Sequence, residues 1–414
     1  MKLKIKKTTN ISGEILISGS KNACLPILTT CILTKDIVHL QNVPNILDVE
    51  YMIELLKLIG VKVKRCLETN ELYLKRKRIK SKLNSPYLNQ IRASYYLMGV
   101  LFTEKRFIKT KNPGGCNFTT RPIDYHLDAF KQMGANVNVN NDNILIKRKK
   151  KRNINITLKS KSLGATINII LATVKTKGES IINNASLEPE VIDLIDILNK
   201  MGASIDIIDD KVIIKGVRKL HGIIHKIIPD RMEAGSYICL AASVENSNIL
   251  LKNVIVNHLD NVINTFKKSV LIIINEENNL RIIKNKKLTN LKVIADNYPC
   301  YPTDLQQPIV STLLNSNNIS LVKDLIYPNR FSEVFELLSM KAILYLKNQS
   351  LLVFPSKLIG KEVYAHDLRA GFSLIIAGAS ASGETIINHS EVILRGYDSL
   401  IDKLKSIKID IKIV

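Results

Sequence analysis

Three stretches of the chain follow the same pattern: Glu54-Leu55-Leu56-Lys57-Leu58-Ile59-Gly60-Val61-Lys62-Val63, Ala129-Phe130-Lys131-Gln132-Met133-Gly134-Ala135-Asn136-Val137 and Ile197-Leu198-Asn199-Lys200-Met201-Gly202-Ala203-Ser204-Ile205. Each reads as the last turns of an amphipathic helix, a glycine stop and an alternating strand. Glycine just past a helix suits the left-handed C′ position, which costs it little. The spacing is 74 residues from Gly60 to Gly134 and 68 from Gly134 to Gly202. The pattern recurs without glycine in Thr265–Ile272, Leu337–Leu344 and Lys403–Ile411, so those caps are expected to be weakened or to use another geometry.

Six units averaging 69 residues fill the 414-residue chain. Each opens with a small-residue apolar segment, such as Leu163-Gly164-Ala165-Thr166 or Leu368-Arg369-Ala370-Gly371. A short strand, a polar-faced helix and a hairpin follow, giving the order helix, strand, helix, strand, strand. Three units per domain predict two α/β domains of about 200 residues each, a usual domain size. The seam falls near His225–Asp230, and the N-terminal strand is free to pair with either domain.

Composition narrows the function. Hydrophobic residues make up 46%, too many for a disordered chain. No apolar run reaches the roughly 18 residues of a membrane span. Met1–Lys7 alternates charge and apolar residues and reads as a strand rather than a leader. The six cysteines include no C-x-x-C pair, and no H-E-x-x-H occurs, so structural zinc and a disulfide scaffold are not expected. A reducing, cytoplasmic setting is the simplest expectation. The 60 Lys plus Arg against 37 Asp plus Glu give a net charge of +23, which first suggests nucleic acid. The basic runs Lys75–Arg78 and Lys147–Arg152, and the lysines 284, 286 and 287, recur where one unit ends. They lack the interleaved aromatics of a nucleic-acid surface and read as solvated turns.

Chemistry concentrates in Asn112-Pro113-Gly114-Gly115-Cys116-Asn117-Phe118-Thr119-Thr120-Arg121-Pro122-Ile123-Asp124-Tyr125-His126. The glycines let backbone approach a ligand, and Arg121-Pro122 is expected to open a helix with proline in its first turn. A thiol beside a cation and a helix N-terminus is expected to have a lowered pKa, which marks Cys116 as functional. The other five cysteines read as inert. In Ser18-Gly19-Ser20-Lys21-Asn22-Ala23 a turn sets a lysine at the start of a helix, a geometry that suits an anion.

These segments resemble the UDP-N-acetylglucosamine enolpyruvyl transferase family from end to end. The likeness runs through Lys21-Asn22-Ala23, Asn42-Val43-Pro44, Arg92-Ala93-Ser94, Pro113–Cys116, Arg121-Pro122-x-Asp124-x-His126, Ser162-x-Gly164-Ala165-Thr166 and Glu188-Pro189-Glu190. It continues through Pro229-Asp230-Arg231-x-Glu233-x-Gly235, Tyr301–Asp304-x-Gln306, Asn329-Arg330-Phe331, Asp367–Ala370 and Arg395-Gly396-Tyr397. The Gly-Gly-Cys loop and the Lys-Asn pair separate it from the sister family, enolpyruvylshikimate phosphate synthase. The resemblance implies a two-domain inside-out α/β barrel, each domain built of three βαβαββ-type units. The implied domains are 21–229, with the Cys116 loop, and 1–20 plus 230–414, with an active site in the cleft between them.

The implied reaction moves the enolpyruvyl group of phosphoenolpyruvate to the sugar 3-hydroxyl by addition and elimination, releasing phosphate. It is the first committed step of peptidoglycan synthesis. The resemblance gives Asp304 the hydroxyl contact and the base role, and Cys116 the role of proton donor or covalent nucleophile. Lys21 and Arg395 join them as catalytic candidates. Lys21, Asn22, Arg121, Arg330, Arg369 and Arg395 match phosphoenolpyruvate-binding positions, where the arginine fork suits phosphate and carboxylate. Arg92, Arg121, Pro122, Ile123, Asp124, Tyr125, Ser160, Lys161, Ser162, Leu163, Asp304 and Ile326 match the sugar-nucleotide positions. No metal, cofactor, nucleic acid, membrane or obligate protein partner is implied. Fosfomycin, which alkylates the family's loop cysteine, is expected to add to Cys116. The chain departs from the family at Ser160, where lysine is usual, at Leu187, where arginine is, and at Pro328, where glutamate is. A basic nucleic-acid module, the sister shikimate-pathway activity and an inactive relative are the competing readings.

Overall fold

A computed structural model describes the chain except residues 115–122, 141, 268–270, 277 and 285, with backbone alone over 271–276. Two compact α/β units are present, one of Gly19–Ile228 and one of Met1–Ser18 with Pro229–Val414. Their described residues form six small sheets, three in each unit.

The third repeat shows the plan. Strand Asn155–Thr157 leads into helix Leu163–Thr173, strand Glu179–Asn183, helix Pro189–Lys200 and hairpin strands Ser204–Ile208 and Lys211–Lys215. The first two strands are parallel across the first helix, and the hairpin adds antiparallel beside them. The fifth repeat has the same order, from Lys292–Ala295 through helix Gln306–Leu313 to Ser350–Phe354. A parallel pair needs a crossover, and the small-residue helix supplies it.

Three repeats take a strand from elsewhere in the chain. Ile223–Lys226 lies parallel to Val38–Gln41, and Asn10–Leu16 lies parallel to Asn246–Lys252. Leu3–Lys6 lies between Glu384–Asn388 and Ile411–Ile413, antiparallel to both. The N-terminal strands thus complete sheets of the unit that holds the C-terminus.

The first helix of each repeat is the core. Every residue of helix Arg231–Ser243 is buried, and it packs on helices Gln306–Leu313 and Leu368–Ser380. In the other unit helix Tyr96–Glu104 packs on Lys21–Thr29 and Leu163–Thr173. Small residues make the approach close: a Cβ on Gly99 would come within 2.1 Å of Asn168 Oδ1. Each large side chain buried here contributes about 1.5–3 kcal/mol.

Three local devices repeat. An asparagine in left-handed conformation ends the second strand: Asn42, Asn184 and Asn253 have φ of 56°, 54° and 60°. Each side-chain amide donates at 2.8 Å to the carbonyl of Ile227, Leu158 or Ile17, just past the parallel neighbour. The second device ends the polar-faced helix. Gly60, Gly134 and Gly202 have φ of 106°, 90° and 97°, as a C′ residue needs. Lys341 and Lys408 adopt the same conformation, with φ of 71° and 69°. The 6→1 and 5→2 bonds seen at Gly202 recur at both lysines. The glycine-less caps therefore keep the geometry and carry its strain. The matching position of the fourth repeat lies outside the described residues.

The third device uses the basic runs. Arg76 donates to the carbonyl of Ile32 at 2.7 Å, Arg148 to Phe102 at 2.7 and 3.0 Å, and buried Lys284 to Val244 at 2.7 Å. Lys151 reaches the carbonyls of Thr103 and Lys175. Cations at these carbonyls satisfy orphan acceptors and oppose the helix dipole, worth up to about 2 kcal/mol when partly buried. Lys75, Lys77, Arg78, Lys147, Lys149, Lys150, Arg152, Lys286 and Lys287 are exposed, as solvated turns require. The reading of whole runs as solvated is corrected for Arg76, Arg148, Lys151 and Lys284, which fold inward onto helix ends.

Candidate active site

Several candidate residues lie where a buried helix begins. Ser20 caps helix Lys21–Thr29, its Oγ accepting from the Ala23 N–H at 3.3 Å, so Lys21 and Asn22 form the first turn. Ser162 caps helix Leu163–Thr173 through the Ala165 N–H at 3.3 Å. Asp367 caps helix Leu368–Ser380, accepting from Arg369 at 2.8 Å and Ala370 at 3.1 Å. Arg92 opens the 3-10 turn Arg92–Tyr95 ahead of helix Tyr96–Glu104. Asp304 lies in the 3-10 turn Thr303–Leu305 ahead of helix Gln306–Leu313. The repeat thus delivers these candidate side chains to helix N-termini, where N–H groups and dipoles favour anions.

In the unit that carries the C-terminus, three candidates meet. Asp304 Oδ1 accepts from Arg330 Nη1 at 2.8 Å, and its Oδ2 accepts from Arg369 Nη2 at 3.1 Å. The two arginines are only 2% and 1% exposed, while Asp304 is half-buried. Burial alone would lower both guanidinium pKa values. Asp304 and Asp367 overcome it for Arg330, and Tyr397, Asp304 and Asp230 overcome it for Arg369, so both stand above the ordinary value. Arg369 also lies 5.1 Å over the Tyr397 ring, and Tyr397 shares a hydrogen bond with Ser236 at 2.8 Å. Arg330 further donates to the Thr303 carbonyl at 3.2 Å. The Thr303 hydroxyl bonds Asp324, whose other oxygen accepts from the Ile326 and Tyr327 N–H groups at 2.9 and 2.8 Å. Ile326 is thereby fixed in the turn after strand Ser320–Asp324 and is partly buried. Arg395 ends the 3-10 segment Ser390–Arg395 and is partly buried, two residues before Tyr397.

In the Gly19–Ile228 unit the candidates are more accessible. Lys21 Nζ lies 3.5 Å from buried Asp48, in the first turn of helix Leu47–Ile59. The Arg92 guanidinium lies 5.7 Å over the Tyr95 ring. The Tyr95 ring packs against buried His126, which shares a 2.8 Å hydrogen bond with Asn168. Burial, with a smaller effect of Arg92, pushes His126 down to about 3, so it is neutral near pH 7. Tyr125 and Ser160 hydroxyls lie 3.2 Å apart, and Lys161 and Leu163 follow, partly buried. Helix Asp124–Gln132 starts at exposed Asp124 with Ile123 at its cap, and the expected opening at Arg121-Pro122 falls outside the described residues. Cys116, Arg121 and Pro122 lie outside the described residues.

Burial raises the thiol pKa of Cys24, Cys31 and Cys239, to about 12 in Cys24 and Cys239, as inert cysteines require. Cys300 is exposed and Cys66 partly so. Among the described residues one group of metal-ligand type comes together, Asp193, Asp196 and His225. Its imidazole Nε2 lies 2.9 Å from Asp193, and its Nδ1 3.8 Å from Asp196. Of these only the Nε2–Asp193 contact is at hydrogen-bond distance. The sequence reading missed Asp48, Asp324, Gln307, Glu333 and the His126–Asn168 pair as supports. Only His126 stood inside a quoted motif.

The model of the family described as EPSP synthase (3-phosphoshikimate 1-carboxyvinyltransferase) matches residues 5–404. A UDP-N-acetylglucosamine 1-carboxyvinyltransferase of Halothermothrix orenii is 38% identical over 99% of both chains. A UDP-N-acetylglucosamine 1-carboxyvinyltransferase of Streptococcus mutans is 39% identical over 98% of this chain and 97% of its own. The fold matches the crystal structure of the enolpyruvyl transferase NikO of Streptomyces tendae, with a TM-score of 0.91 and 18% identity over 99% of this chain and 98% of that one. It also matches EPSP synthase of Acinetobacter baumannii, at 0.75 and 17% over both full lengths. Likeness along essentially the whole length, in sequence and in fold, leaves one conclusion: the chain belongs to the EPSP synthase family of 1-carboxyvinyltransferases.

Proposed function

We propose that the chain transfers the enolpyruvyl group of phosphoenolpyruvate to the 3-hydroxyl of UDP-N-acetylglucosamine, releasing phosphate and opening peptidoglycan synthesis. The observation that carries this reading is the full-length identity of 37–39% to relatives bearing that activity's name. Phosphoenolpyruvate carries up to three negative charges, so its site needs cations that keep their charge. Arg330 and Arg369, held above the ordinary guanidinium value, meet that need. Asp304 accepts from both of them.

In this reading Asp304 receives the sugar hydroxyl and takes its proton. Its two arginines hold the carboxylate in place, so it acts by position more than by basicity. Cys116 delivers the proton to the methylene carbon or adds to phosphoenolpyruvate. Lys21, Asn22, Arg121 and Arg395 bind the phosphate and carboxylate groups with Arg330 and Arg369. Arg92, Arg121, Pro122, Ile123, Asp124, Tyr125, Ser160, Lys161, Ser162, Leu163 and Ile326 bind the sugar nucleotide. Tyr125 and Ser160 already share a hydrogen bond, so serine supplies a hydroxyl where the family's lysine would supply charge. The inward-facing arginines and lysines weaken the nucleic-acid reading, because part of the +23 charge is spent on helix ends.

Phosphate release tests the proposal. Phosphoenolpyruvate with UDP-N-acetylglucosamine is expected to release phosphate, and shikimate 3-phosphate as acceptor is not. Folded protein that releases none with the sugar nucleotide overturns it. Release with the shikimate acceptor alone assigns the sister activity.

A further inference from the structure

Three segments bring Asp304, Arg330 and Arg369 together, and a separate buried polar cluster ties those segments to one another. Gln307, one turn after Asp304, is fully buried. Its Nε2 donates to Ser332 Oγ at 2.9 Å and Glu333 Oε2 at 3.0 Å, and lies 3.3 Å from Asp367 Oδ2. The Ser332 hydroxyl passes the link on, donating to Asp367 Oδ2 at 3.1 Å. The other Asp367 oxygen caps the helix on which Arg369 is the second residue. Ser332 stands two residues after Arg330 in the chain. The Gln307 backbone is fixed as well, its carbonyl accepting from Ser373 Oγ at 2.8 Å.

Glu333 and Asp367 are 0% and 2% exposed. Burying such groups is costly, and an apolar packing of equal volume is often no less stable. What hydrogen bonds add is direction: they set each segment's angle and register against the others. Burial raises the Glu333 carboxyl to about 8, so it enters the cluster protonated near pH 7. Arg330 and Arg369 then face the carboxylates of Asp304, Asp367, Asp324 and Asp230.

We propose that Gln307 and Glu333 are positioning residues: through Ser332 and Asp367 they fix Arg330 and Arg369 at the angle at which both grip Asp304 and the anionic substrate. The proposal rests on the reading that these three groups serve phosphoenolpyruvate and the sugar hydroxyl. Neither Gln307 nor Glu333 touches substrate in it.

Steady-state kinetics of the full chain separate the possibilities. Gln307→Met keeps the volume and removes the donor, and Glu333→Leu removes the acceptor. Each is expected to lower kcat/KM for phosphoenolpyruvate roughly 10- to 100-fold, the size of effect that small misplacements of a binding group produce. The KM for phosphoenolpyruvate should rise more than that for UDP-N-acetylglucosamine. Glu333→Gln retains an acceptor and should stay within about threefold of the wild type. If Gln307→Met does not fold, Ser332→Ala breaks the relay alone and is expected to show the same split on a smaller scale. Unchanged constants in the folded variants overturn the proposal, and so does a Glu333→Gln enzyme as impaired as Glu333→Leu. A wild type without turnover overturns the functional reading beneath it, which sets that failure apart from a failure of positioning alone.

Discussion

The two units are built from the same repeat and use it differently. In the unit with the C-terminus, Asp304, Arg330 and Arg369 are locked together with both arginines almost wholly buried. In the Gly19–Ile228 unit the candidates are partly or fully exposed, and Lys21 reaches Asp48 at 3.5 Å. The helix ends differ in the opposite sense. The Gly19–Ile228 unit ends its polar-faced helices with Gly60, Gly134 and Gly202, while the other unit forces Lys341 and Lys408 into the same left-handed geometry. One unit therefore has well-capped helices and an adaptable site, and the other has strained caps and a preorganised site.

The largest expected effect breaks the preorganised side. Asp304→Ala leaves two buried guanidiniums without their shared carboxylate, which should cost about 3–5 kcal/mol of stability. The same change at Asp48 removes its 3.5 Å contact with Lys21 and should cost less. Urea denaturation of both variants checks the ratio, and equal losses would erase the contrast between the units.

The two units should also respond to pH with opposite sign. His126 falls from 6.5 to about 3 on folding, so the unfolded chain binds more protons between those values. Its contribution is complete above pH 6.5 and is lost as pH falls through that window. Glu333 rises from 4.5 to about 8, so the folded chain binds more protons there. Its contribution is complete below pH 4.5 and is lost as pH rises through 8. His126→Gln should flatten the acid limb of denaturation midpoint against pH, and Glu333→Gln the alkaline limb. A variant that leaves its limb unchanged refutes the assignment for that residue.

The smallest effect concerns the caps. Lys341→Gly and Lys408→Gly should each stabilise by about 1 kcal/mol, since left-handed geometry penalises residues with a Cβ. Gly202→Lys should destabilise by at least as much, because a Cβ there also meets the His221 ring at 3.3 Å. Thermal melts that move the other way would show that the lysine caps are not strained.

The repeat was legible because a C′ glycine is a local need that leaves a mark every 68–74 residues. The strand donated at Ile223–Lys226 was not, because its pairing with Val38–Gln41 spans most of a unit and no spacing reveals it, while the N-terminal donation was implied only by the family resemblance. Most candidate side chains stood in motifs, but of their supports only His126 and Asp367 did. Gln307, Ser332, Glu333 and Asp367 meet only after three helix N-termini are brought together, and a buried polar side chain looks like a surface one in a sequence. Arg148 and Lys284 misled for the same reason: charge is read as exposure until a helix carbonyl is found beneath it.

The role proposed for Cys116 can be tested on its own. Fosfomycin should add to Cys116 and to none of the raised thiols Cys24, Cys31 and Cys239. Peptide mass spectrometry locates the adduct, and an adduct on Cys66 or Cys300 alone would contradict an activated Cys116.

Identification of the product bears most directly on the central claim. Mass spectrometry of UDP-N-acetylglucosamine incubated with phosphoenolpyruvate and the enzyme should show the sugar nucleotide gaining one carboxyvinyl group, with a matching release of phosphate. Asp304→Ala should show neither. An unmodified sugar nucleotide in the presence of folded wild-type enzyme would contradict the account.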